Sequence, residues 1–126
     1  MSITCGIEIR KRDTREIAEA SSFVSWKSWA IDMWIGEWIF EYQTPCEPEF
    51  FERKGECVWR SVRKDDVLRM SDDMTNRRFD ACPDAYGFIE GDELEENSLA
   101  DYGPILRRLA EKVQDDEMLV RYNCGN

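Results

Sequence analysis

Histidine is missing altogether from the 126 residues. No imidazole can therefore serve as general base, metal ligand or charge switch near neutral pH. A general base would have to be a carboxylate, cysteine, lysine or tyrosine with a shifted pKa. The chain also lacks a glycine-rich phosphate loop, a G-x-S-x-G elbow and a cysteine in a recognisable nucleophile setting. Paired carboxylates of the glycosidase kind are defined by a separation in space, which sequence does not fix. A non-enzymatic protein is the expectation.

Other absences narrow the class further. Five cysteines (Cys5, Cys46, Cys57, Cys82, Cys124) are odd in number and widely spaced, with no C-x-x-C pair. That pattern fits neither a disulfide framework nor a short zinc loop, so mostly reduced thiols and no structural metal or cofactor are expected. The stretch GDELEENSLADYG does not supply the ligand spacing of an EF-hand loop. The opening MSITCGIEIRKR has no positive region followed by an apolar segment and a small-residue cleavage site, which points to a cytosolic protein. The most apolar run is interrupted by Lys27, Asp32, Glu37 and Glu41 and falls short of the roughly 20 residues a spanning helix needs. No repeat, low-complexity tract or linker divides the chain, so residues 1–126 read as one domain.

What is present is acid. The formal net charge is −10, and residues 65–101 hold 12 acidic against three basic side chains, a net of −9. Four adjacent pairs stand out in that block: Asp65 and Asp66, Asp72 and Asp73, Asp92 and Glu93, Glu95 and Glu96. Such a segment repels phosphate backbones and anionic lipid, and attracts cationic partners over about 8 Å at physiological salt. Nucleic acid and membrane are disfavoured as partners. A solvated face that only maintains solubility is the plain alternative.

Aromatic residues are the second concentration. Trp26, Trp29, Trp34 and Trp38 fall within SSFVSWKSWAIDMWIGEWIFEY, residues 21–42. Asp13 followed by Glu16 has the form of a capping box, so a helix is expected from near 14 to Tyr42, ended by Pro45 and Pro48. On helical spacing Trp26, Trp29, Met33, Gly36 and Phe40 line one face, and Val24, Ile31, Ile35, Trp38 and Tyr42 a neighbouring one. Ser21, Ser25, Ser28 and Asp32 form the narrow polar stripe between them. A helix apolar over so much of its circumference is mainly core, with one edge, at Trp29, Trp34 or Trp38, left to anchor a partner.

Alternation predicts strands at 3–10 and Glu56–Val62, with a short one around Tyr86, Phe88 and Ile89 and a last one in EMLVRYN. Residues 65–84 suggest one or two helical turns, DELEENS a charged loop or a first helical turn, and Pro104 opens a C-terminal amphipathic helix. The order β-α-β-β-α-β predicts an α+β domain: a small mixed or antiparallel sheet of about four strands in the ferredoxin-like split βαβ arrangement, both helices on one face.

Combined, these features predict an acidic protein that binds and inhibits a basic protein partner, in the manner of an immunity protein against a nuclease toxin or a phage counter-defence inhibitor. Asp65, Asp66, Asp72, Asp73, Asp92, Glu93, Glu95 and Glu96 would steer and pair with arginines, and Trp34 or Trp38 would supply the desolvated centre. Two further readings stay open: a small-ligand or enzymatic domain with a pocket beside the tryptophan helix, and a structural subunit that self-associates through it. Oligomeric state is not set by the sequence.

Overall fold

The computed structural model describes residues 3–19, 22–42 and 48–125. Five strands form one sheet: β1 (Ile3–Lys11), β2 (Phe23–Trp26), β3 (Phe51–Lys54), β4 (Cys57–Val62) and β5 (Glu117–Gly125). Their spatial order is β2-β1-β5-β4-β3, and every neighbouring pair is antiparallel. The helices are α1 (Trp29–Tyr42), α2 (Lys64–Thr75), α3 (Pro83–Tyr86) and α4 (Glu93–Lys112). The class is α+β, as the sequence predicts. The split βαβ arrangement is not adopted: it would set the last strand at a sheet edge beside the first, whereas here β5 lies between β1 and β4, and β2 and β3 form the two edges.

Two strands that periodicity does not reveal account for the difference. Asp13 and Glu16 do not open a helix: Asp13 Oδ1 accepts from the Thr14 amide, and the chain reverses with Arg15 at φ 67°. Lys11 N–H then bonds Glu16 O and Ala18 N–H bonds Ile9 O, so the returning chain runs back along β1 and enters β2. Trp26 therefore belongs to a strand. Helix α1 begins only at Trp29, where Ser28 accepts from the Ile31 amide through its hydroxyl. Tyr86–Ile89 forms the end of α3 and a turn rather than a strand, and α4 starts at Glu93, well before Pro104, because Asp92 caps it through the Glu95 amide. The predicted helix end near residues 44–47 lies outside the described residues.

The core fills the space between one sheet face and the helices. Cys5, Ile7 and Ile9 of β1, Val62 of β4 and Leu119 of β5 meet Ile31, Trp34, Ile35 and Trp38 of α1, Val67, Met70 and Met74 of α2 and Leu99, Leu106 and Leu109 of α4. Gly103 permits the close approach of α2 and α4, since a Cβ there would stand 2.7 Å from the Thr75 backbone nitrogen and collide with the Thr75 hydroxyl. Gly6 serves the opposite sheet face in the same way: the Tyr122 ring lies across it, and a Cβ would fall 2.6 Å from the phenol oxygen.

A carboxylate is buried in this core. Asp32 on α1 accepts from Trp26 Nε1 at 3.1 Å and Arg121 Nη2 at 3.0 Å on Oδ1, and from Asn123 Nδ2 at 2.5 Å on Oδ2. One side chain thereby fastens α1 to β2 and β5. Beside it the buried Cys5 thiol is pushed up to about 12, by burial first and then by the Asp32 charge and hydrogen bond. Cys5 is an inert core group at physiological pH.

The expectation of reduced thiols is corrected at Cys57 and Cys124. They face each other in the β4–β5 register and form a disulfide. Cysteines 67 positions apart in sequence give no spacing signal, because it is the sheet that brings them together. Cys82 is buried, and Cys46 lies outside the described residues.

Two stability predictions follow from these contacts. Peptide mapping without reductant should recover a linked Cys57–Cys124 peptide, and reduction should lower the melting temperature by on the order of 10 °C, since the bridge closes a long loop. Unlinked peptides or an unchanged melting temperature would contradict the pairing. Asp32→Ala, which leaves the partly buried Arg121 without its counter-charge, should cost about 3 kcal/mol by denaturant unfolding. A cost near zero would show that the carboxylate does not tie helix to sheet.

Candidate functional site

The fold separates the acidic residues into those it uses and those it leaves in water. Helices α2 and α4 pack antiparallel: Gly103 sits on Ser71 and Thr75, and Arg77 Nη2 donates to Asn97 Oδ1 at 2.9 Å. The start of α2 is thus carried away from the start of α4. A helix of this length spans about 18 Å, more than twice the screening length at physiological salt. Asp65 lies at that far end, on a cleft of about 470 Å³ with Arg12, Arg63, Lys64, Gln114 and Asp115.

The rest of the α2 carboxylates are engaged. Asp66 is buried, with Oδ1 3.3 Å from Arg69 Nη1 and Oδ2 without a hydrogen-bond partner. Asp73 accepts from Trp38 Nε1 at 2.9 Å and from Arg78 Nε at 3.0 Å. Asp72 takes the other arm of Arg78, whose pKa these two carboxylates raise by hydrogen bonding, Asp73 first. A contact surface containing all eight predicted acids is therefore not what the chain builds.

Trp34 and Trp38 are likewise not surface anchors. They are 0% and 1% exposed, and the indole of Trp34 donates to Phe79 O at 3.0 Å just as that of Trp38 donates to Asp73. A helix covered on both sides buries the ring and must provide each N–H with an acceptor. Trp29, which the helical face pattern placed in line with Met33 and Phe40, is the exception at 60% exposed.

Trp29 stands beside the turn and the helix start that carry several of the other acids. Its ring meets Phe88 edge to face with centroids 5.6 Å apart. The preceding Ser28 hydroxyl donates to Glu95 Oε2 at 2.5 Å, which fixes the start of α1 to the start of α4. Phe88 hangs from the turn after α3, held by its amide on Ala85 O and by Ile89 and Glu90 amides on Tyr86 O. Half-buried Tyr86 has its phenol pKa raised, by burial first and then by the negative charge of Glu96, Glu90 and Asp80. Asp92 and Glu93 sit in the exposed cap and first turn of α4, and Leu94 beside them is 74% exposed. Among the described residues none of Asp80, Glu90, Asp92, Glu93 or Glu96 forms an ion pair.

The corner where α1, α3 and α4 meet thus combines an uncovered aromatic pair with unneutralised carboxylates. Protein-family models, curated proteins and solved structures give no match to this chain. No group of three or more potential metal ligands occurs among the described residues, and no described helix is long and apolar enough to cross a membrane. A smaller hollow of about 310 Å³ borders the tryptophan helix and is lined among the described residues by Trp38, Arg69, Asp72, Asp73 and Ala81. Its ionisable groups are tied to one another or to the core.

Sequence reasoning named Asp92, Glu93, Glu95 and Glu96 and considered Trp29, but missed Asp80, Glu90, Tyr86 and Phe88. Those four lie on a segment read as helical turns and a strand. An aromatic residue followed two positions on by glutamate, as at Phe88 and Glu90, was the available signal.

The sign of the local field can be read without a partner. Caesium ion should quench Trp29 emission more strongly than iodide at low salt, and Trp29→Phe should remove most of that quenching while the buried indoles stay protected. Iodide quenching as strong as caesium quenching would show that Trp29 does not sit in negative potential.

Proposed function

We propose that this chain is a non-enzymatic inhibitor of a basic protein, and that it acts by laying the α1–α3–α4 corner over the partner's cationic active or nucleic-acid-binding site. The observation that supports it most is the exposed Trp29–Phe88 pair beside carboxylates without an ion pair: Glu90 two residues beyond Phe88, and Asp92, Glu93 and Glu96 at the start of α4, which the Ser28–Glu95 bond ties to the start of α1. Unpaired negative charge raises the rate of encounter with a positive surface and fixes orientation. An exposed tryptophan at the centre of such a patch supplies the apolar contact that sets the lifetime. Immunity proteins against nuclease toxins and phage proteins that block host defence are the kinds of molecule with this physics.

The division of the acids sharpens the mechanism. Asp66, Asp72 and Asp73 serve the fold, so the steering field comes from the α4 end of the acidic block. The Ser28–Glu95 bond joins the helix carrying the aromatic anchor to the one carrying the carboxylates, and little rearrangement is needed on binding.

The test begins with recovery of a basic protein from the native host at low salt and release at high salt, followed by an activity assay of the recovered protein with added chain. Stoichiometric loss of its activity is the expected result. In stopped-flow binding, the combined substitution Glu90→Gln, Glu93→Gln and Glu96→Gln should slow association about tenfold and change dissociation little. Asp72→Asn should leave association within about twofold, because Arg78 already neutralises that carboxylate. A recovered protein that stays fully active, or association insensitive to both salt and the glutamate substitutions, would overturn the proposal.

A further inference from the structure

We infer that the Trp29–Phe88 corner is a seat for an arginine side chain of the partner; this rests on the inhibitor reading above and names the group that reading leaves open. Among the described residues one arrangement occurs three times: a guanidinium lying over an aromatic ring while its N–H edge reaches a side-chain oxygen. Arg69 lies 5.6 Å over Trp38 with Nη1 on Asp66. Arg10 lies 5.9 Å over Trp59 with Nε on Glu8. Arg77 lies 5.5 Å over Phe79 with Nη2 on Asn97.

At Trp29 the same two components are present and the third is supplied by no described residue. The ring is exposed, its neighbour Phe88 is fixed edge-on to it, Glu90 follows Phe88 by two positions, and the Ser28–Glu95 bond holds the first turn of α4, which carries Glu93 and Glu96, against the start of α1. Among the described residues the cation–π contacts fall on Phe50, Trp59, Trp38 and Phe79. A planar guanidinium can stack on an indole face and still direct N–H groups sideways to carboxylates, whereas an ammonium is a compact, strongly hydrated point charge. Apolar inserts would leave the surrounding carboxylates uncompensated, and nucleic acid or anionic lipid would be repelled by them.

Polyarginine, polylysine and polycitrulline peptides of equal length, titrated into the full chain at low salt, provide the test, with the tryptophan indole resonances followed by NMR. The arginine peptide should bind about fivefold tighter than the lysine peptide, shift the Trp29 indole signal selectively and lose its advantage in Trp29→Ala. Trp29→Phe, which keeps a ring, should retain part of that advantage. Equal affinity for arginine and lysine peptides, reduced alike by Glu90→Gln and Glu96→Gln, would overturn the arginine seat and leave the inhibitor reading standing. An arginine preference that survives Trp29→Ala would also overturn it, as would citrulline binding as tight as arginine. Binding of neither cationic peptide would overturn both.

Discussion

An ionised carboxylate taken out of water costs several kcal/mol unless a cation or hydrogen-bond donors replace its hydration. That constraint organises this molecule. Asp32 is met by an indole, a guanidinium and an amide; Glu8 by Arg10; Glu117 by Lys11 and the Gln114 amide; Asp73 by Trp38 and Arg78. Asp32 and Asp73 take donors from other elements and so tie layers together, whereas Glu8 is met within its own strand. Asp66 is the incomplete case, with one oxygen paired to Arg69 and the other unmatched.

The same constraint determines what is left for a partner. Arg69 and Arg78, two of the three basic residues in the acidic block, are taken up by Asp66, Asp72 and Asp73. Arg77 turns to Phe79 and Asn97. The basic content of the segment is thereby spent at α2 and the turn that follows it, and the start of α4 keeps its charge. Negative residues in the first turn of a helix also favour its dipole, so Glu93 and Glu96 stabilise α4 while they face solvent. A dense carboxylate cluster is therefore compatible with a stable helix at that end.

Strict alternation in Ile3–Arg10 and the apolar stripe of Ile105, Leu106, Leu109 and Val113 made β1 and the second half of α4 readable from sequence. The α+β class and the mainly interior role of the tryptophan run were also readable, but not which ring stays exposed: Trp34 and Trp38, expected as anchors, are buried, and Trp29 is not. Strand β2 was hidden because FVSW continues the helical spacing of α1 in apolar content, and only Lys27 and Ser28 separate the two elements. Strand β3 was hidden because FERK is exposed throughout and carries no apolar face. Net charge marked residues 65–101 as the acidic segment, but could not tell Asp72 from Glu93. That distinction depends on where Arg78 folds, a tertiary fact with no local signal. The disulfide was invisible for a related reason, since Cys57 and Cys124 become neighbours only through β4–β5 pairing.

Carboxylate footprinting of the free protein, with a water-soluble carbodiimide and an amine label quantified by peptide mass spectrometry, tests the division of the acids most directly. Glu90, Asp92 and Glu93 should be modified fast, and Glu8, Asp32, Asp66 and Asp73 should be protected until the chain unfolds. Modification of Asp66 and Asp73 at the rate of Glu93 in the native state would contradict the account, because the acids credited to the fold would then be as free as those credited to the partner.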